Sequence, residues 1–261
     1  MRYHNSLVPV GETSPPEELP SRIAGGCSRW QICIGVMAFI SELIHGLNLY
    51  SKMITEPRKL NFTCENGNGI CDEEAKRIWI ENSFRIGVII SYFIIGWTAD
   101  RCGRKIAAMT FIPLHCLSGA LTLIYSNYGM LLFFHLIHGV FCTSVNLLPK
   151  VALCDSVGNK WRTFALGFTV YPLPISWMLV VYFTTLFSDI KEIIGAIAVL
   201  PLILLVPLLY FRDSPIYILL KSDFVEAEEV LRKIAQFNNC PLSRDIRIRP
   251  VELIEKTLPD Q

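Results

Sequence analysis

Charge is scarce in this chain. Asp, Glu, Lys and Arg make up 18% of its 261 residues and nearly cancel, to a formal net charge of +1. A balance this close to neutral excludes the basic surface that binding to nucleic-acid phosphates requires. Catalytic signatures are missing too. There is no Gly-rich phosphate loop, no H-E-x-x-H helix and no G-x-S-x-G elbow, so nothing points to an enzyme, and no cofactor or metal is expected. What the chain has instead is apolar mass, with 52% hydrophobic residues and a mean hydropathy of +0.41. That composition belongs to a membrane protein.

A bilayer core of about 30 Å takes roughly 20 apolar residues to cross as a helix. Six segments meet this length, at approximately 31–50, 79–99, 106–125, 128–149, 164–187 and 191–211. The expected fold class is therefore all-α, with six transmembrane helices. Residues 1–28 are polar and proline-bearing and read as a disordered lead-in. Residues 212–261 follow the last span. Within them the apolar positions 227, 230, 231, 234 and 235 fall at helical spacing, which predicts a soluble amphipathic helix over about 224–236.

Loop charges orient the spans. Arg101, Arg104 and Lys105 lie between the second and third, and Lys160 and Arg162 between the fourth and fifth. The 3–4 turn around Asn127 has no cation. The positive-inside rule then puts both termini in the cytoplasm. The first loop, about 51–78, opposes this with Lys52, Arg58, Lys59, Lys76 and Arg77. It also holds an N-x-T glycosylation acceptor at Asn61 and the pair Cys64 and Cys71, which fit an extracellular loop and an oxidising environment. The two cysteines read as a disulfide candidate. No histidine or further cysteine stands near them for zinc.

Gly96-Trp97-Thr98-Ala99-Asp100-Arg101-Cys102-Gly103-Arg104-Lys105 compresses three cations, an acid and two glycines between two membrane-length stretches. The glycines are expected to supply the freedom of a tight turn. Asp155-Ser-Val-Gly-Asn-Lys-Trp-Arg162 follows the fourth span, and Asp213-Ser-Pro-Ile-Tyr-Ile-Leu-Leu-Lys follows the sixth. At these three places the chain resembles the major facilitator superfamily, whose patterns there are G-x-x-x-D-x-x-G-R-K, E-x-x-G-x-x-[YW]-R and E-S-P-R-W-L-L. Arg29-Trp30-Gln31 and Cys71-Asp72 tilt the resemblance toward its organic cation/anion/carnitine transporters. It covers about residues 27–240 and corresponds to the N-terminal six-helix half of a twelve-span fold. The departures are Asp155 and Asp213 in place of glutamate, Ile216 and His135 in place of arginine, and Ser91 in place of glycine.

The resemblance implies transport of a small organic ion across the bilayer by alternating access, most naturally at the plasma membrane. It implies a cytoplasmic gate carried by Gly96, Asp100, Arg101, Gly103, Arg104, Lys105, Asp155, Arg162 and Asp213. Ionisable groups at membrane depth face protein or water. Helices 1 and 4 line the central cavity in the superfamily, so Glu42, Asn146 and Lys150 are candidate substrate contacts. Glu42 and Lys150 could equally form a structural ion pair, and the histidines 45, 115, 135 and 138 could be interhelical hydrogen-bonders. A second half would come from a homodimer or another transporter half. The alternative is a non-transporting, regulatory half that associates with a full-length relative.

Overall fold

The computed structural model describes residues 28–59, 69–124, 127–186, 190–210, 217–218 and 224–239. Helix α1 runs Arg29–Lys59, α2 Gly69–Cys102, α3 Arg104–Ile124 and α4 Tyr128–Ser156. The fifth span is two helices, α5 (Asn159–Phe168) and α6 (Pro172–Leu186). The sixth is α7 (Ile190–Val199), a 3-10 stretch Leu200–Leu204 and α8 (Leu205–Tyr210), and α9 follows at Phe224–Phe237. Six of these stretches are long and apolar enough to cross a membrane. Helices α1 and α2 extend past the apolar runs, so the first connection is helical through Lys59 and again from Gly69. Asn61 and Cys64 lie outside the described residues, as does Asp213.

Helix α4 is the spine. It packs against α1, α2 and α3, and α1 adds α6 on its other side. Lipid competes for apolar side chains, so close packing rather than water exclusion holds such helices together. The α2–α4 crossing shows how. A methyl group on Gly139 would overlap the Phe84 carbonyl, and one on Gly87 would overlap that of Leu136. Each helix thus offers a glycine to the other's backbone. One turn further on, the Ser91 and Thr143 hydroxyls hydrogen-bond across the same seam.

The breaks have local causes. Proline has no N–H to give and crowds the residue before it. Pro172 and Pro174 accordingly follow a turn at residues 169–171 that interrupts the fifth span. Pro201 sits in the 3-10 stretch of the sixth and frees the Ile197 carbonyl four residues back. Asn48 of α1 donates to that carbonyl at 3.2 Å, and to its own Ile44 carbonyl at 3.0 Å.

The turn between α2 and α3 is tighter than the ten-residue motif suggests. Helix α2 continues through Cys102, and Gly103 alone reverses the chain, with φ of 102°. Its N–H closes α2 on the Ala99 carbonyl (3.1 Å), and its own carbonyl accepts the first bond of α3 from Ala107 (3.1 Å). Only glycine takes that φ at little cost. Gly96, by contrast, lies inside α2 with open space where a side chain would be.

At the same end of the bundle, Ser28 and Gln31 open α1, the Gln31 side chain accepting from the Ser28 N–H at 3.1 Å. This is half of a capping box. Asn238, just past α9, accepts from the Trp30 N–H at 2.9 Å. The expected apolar positions of α9 are buried, and Val230 and Ile234 pack with Tyr217, Ile218 and Trp30.

Replacing Gly139 with alanine should cost roughly 1–3 kcal/mol through the clash with the Phe84 carbonyl. Thermal melting of the detergent-solubilised protein reads this directly. An unchanged midpoint would mean that the two helices can part without penalty.

Candidate functional site

Two charged clusters stand out, one at the Gly103 end and one within the bundle. Helix α3 starts with Arg104 and Lys105 and has no acid in its first turn. Cations at a helix N-terminus meet the positive end of the helix dipole, so they need counter-charges from elsewhere. Arg104 finds two. Its guanidinium lies 3.4 Å from Asp100, one turn back across Gly103, and 3.3 Å from Asp155 at the end of α4. It also stacks over the Tyr217 ring at 4.9 Å, while the Tyr217 hydroxyl donates to the Arg101 carbonyl at 2.9 Å.

The remaining cations of the motif have separate tasks. Lys105 reaches the Leu209 carbonyl at 3.4 Å, near the end of α8, where a positive charge is favourable. Arg101 covers the Trp97 ring at 4.3 Å. Arg162, in α5, buries its Nε with no hydrogen-bond acceptor among the described residues. Asp100 stands 74% exposed, in contrast to the largely buried Arg104 and Asp155. Arg104 is therefore the hub. Sequence reading lists it among equals, because the Tyr217 contact lies more than a hundred residues away along the chain.

Deeper in the bundle, Glu42 of α1 and Lys150 of α4 form an ion pair at 2.8 Å. Asn146, one turn from Lys150, is half-buried on α4. His45 follows Glu42 by one turn and places Nδ1 3.5 Å from the Cys142 sulfur. The other histidines are engaged in packing. His135 Nδ1 donates to the Leu131 carbonyl at 3.1 Å. His138 stacks on His115 with centroids 4.3 Å apart, and its Nδ1 lies 3.2 Å from the His115 carbonyl. Among the described residues, no group of three or more His, Cys, Asp or Glu side chains is arranged to hold a metal ion. The side chain of Cys71, within α2, is outside the described set.

A six-span bundle with a one-glycine turn, an arginine bridging two acids beside it, and a buried acid–lysine pair is thus in place. The profile of the family described as "Sugar (and other) transporter" matches residues 25–245. The chain belongs to that family. It is a multi-pass membrane protein of the major facilitator superfamily, corresponding to the N-terminal half of that fold. The mouse solute carrier family 22 member 4 is 26% identical over 199 residues, 72% of this chain and 34% of the relative. The human organic cation/carnitine transporter 2 is 25% identical over 174 residues, 66% of this chain and 31% of the relative. The chain thus spans about a third of the length of these curated relatives. Its fold matches the xylose transporter XylE from E. coli in a partially occluded inward-open conformation, at a TM-score of 0.69 and 16% identity. That match covers 88% of this chain and 57% of the other. Family and fold point to a transporter rather than an enzyme.

Removing one member of a buried ion pair strands the other, at a cost of about 3–5 kcal/mol. Glu42→Gln and Lys150→Met should each lower the melting midpoint, and the double variant should regain most of the loss. Additive losses in that cycle would mean the two groups do not depend on each other.

Proposed function

We propose that this chain forms one wall of a transporter for small organic ions that works by alternating access. Arg104, shared between Asp100 and Asp155 where α2 turns into α3, carries the reading. In this account the Gly103 end faces the cytoplasm, as the loop cations prefer, and the Asn61 loop faces outward. The protein resides in the plasma membrane.

The two clusters have separate roles. The cytoplasmic cluster is a gate. Ion pairs of this kind can hold in one state and exchange partners in another. Asp155 is the buried, standing partner of Arg104, and exposed Asp100 is the one free to change partners. Asp213 is carried into the same gate by its place in the family pattern. Within the bundle, Glu42, Asn146 and Lys150 contact the transported ion. An opposing wall is supplied by a second six-helix half, from the same polypeptide, a second copy or another transporter half.

Asp100→Asn tests the gate. An exposed ion pair contributes at most about 1 kcal/mol to stability, so surface abundance should stay close to that of the parent protein. Uptake should nevertheless fall severalfold for whichever of three probes is carried: tetraethylammonium, benzoate or carnitine. Full uptake in this variant at equal abundance would remove Asp100 from the gate.

A further inference from the structure

At the Gly103 end, charge alone does not fix where Arg104 sits. Its carboxylate contacts, 3.4 Å to Asp100 and 3.3 Å to Asp155, exceed the roughly 2.7–2.9 Å of an aligned guanidinium–carboxylate bond. Its buried Nε makes no hydrogen bond among the described residues, although an Asp155 oxygen lies beside it. A long side chain held this loosely needs a further contact to stay between two acids.

The face of Tyr217 supplies it. The Arg104 guanidinium lies 4.9 Å from the ring centroid, inside the range of about 6 Å at which an aromatic face attracts a cation. The ring is itself held at both ends. Its hydroxyl donates at 2.9 Å to the Arg101 carbonyl, in the last turn of α2, where carbonyls have no partner within the helix. Its body is buried and packs with Val230 and Ile234 of α9. Lys105, the residue after Arg104, reaches the Leu209 carbonyl, so the exit of the sixth span is drawn to the same turn. The family pattern places tryptophan at this position, and tryptophan has no hydroxyl to give.

We propose that Tyr217 is a positioning residue of the gate: it seats Arg104 within reach of both carboxylates and lets neither capture it. A ring face attracts the cation without fixing where its N–H groups point. The guanidinium can therefore turn between Asp100 and Asp155 while it stays on its seat. The hydroxyl keeps that seat attached to the last turn of α2, beside Asp100. Without the ring, Arg104 settles on one acid or turns to solvent, and the exchange of partners is lost. This deepens the gate reading above and rests on it. The seating itself can be measured without transport.

The test combines thermal melting and uptake on the full protein. Tyr217→Leu and Arg104→Gln each remove one side of the stack, so the double variant should lose clearly less in melting midpoint than their sum. Tyr217→Phe keeps the ring, and its loss should simply add to that of Arg104→Gln. Uptake is then compared at equal surface abundance, for whichever of tetraethylammonium, benzoate and carnitine is carried. Tyr217→Phe should lower the maximal rate severalfold and leave the half-saturating concentration unchanged. Tyr217→Leu should lower it further, and Asp100→Asn added to it should change nothing more. Tyr217→Phe carries the uptake arm even where Tyr217→Leu does not fold. Additive melting losses with Tyr217→Leu would overturn the seating. Full uptake per molecule in Tyr217→Phe, or a fall that only tracks abundance, would overturn the positioning role. Coupling in melting without uptake of any probe by the parent protein would leave the seat standing and remove the transport reading instead.

Discussion

Inside a bilayer no water is available to satisfy a carbonyl or a charged head group, and much of this chain's arrangement follows from that constraint. Pro201 frees a carbonyl in the sixth span, and Asn48 of the first span answers it. Glu42 and Lys150 neutralise each other across two helices. Ser91 finds Thr143, and His138 finds the His115 carbonyl. These bonds join helices that dispersion and shape alone would hold only loosely in lipid. The same constraint explains why glycines occupy the α2–α4 seam. Close backbone approach there brings the polar side chains of one helix within reach of the next.

At the Gly103 end the geometry changes character. A single glycine in a left-handed conformation sets Arg104 one turn from Asp100 and beside Asp155, with Tyr217 stacked on its guanidinium. Neither acid owns it. One contact is to a buried carboxylate and one to an exposed carboxylate, an arrangement suited to exchange rather than to static cross-linking. Helix α9 closes the same end, with Asn238 completing the hydrogen bonding at the start of α1. Movement of the second and third spans would therefore be felt at Arg104 and at Tyr217, which it stacks on.

The sequence makes legible what depends on local pattern. Length and hydropathy place six spans, and apolar spacing predicts the buried face of α9 down to its individual positions. The family resemblance, rather than any spacing along the chain, is what groups Asp100, Arg104 and Asp155 as gate candidates. Hydropathy is blind to helices that leave the membrane, which is why α1 and α2 run further than the apolar stretches suggest. The one-residue turn is hidden for a related reason: a charged run reads as a loop, although Asp100, Arg101 and Cys102 complete a helix. Long-range partners are hidden altogether. Nothing around Asn48 announces a carbonyl 149 positions away, and nothing around Arg104 announces Tyr217.

The central claim is that two faces of one pathway open in turn, and counterflow measures this most directly. Vesicles containing the full protein are loaded with unlabelled benzoate, carnitine or tetraethylammonium, and a trace of the labelled solute is added outside. Alternating access requires the label to rise transiently above its equilibrium level inside, because the loaded solute drives its own carrier outward and returns it with label. A label that only approaches equilibrium, at a rate linear in concentration for every probe, would mean an open pore or a passive wall and would contradict the account.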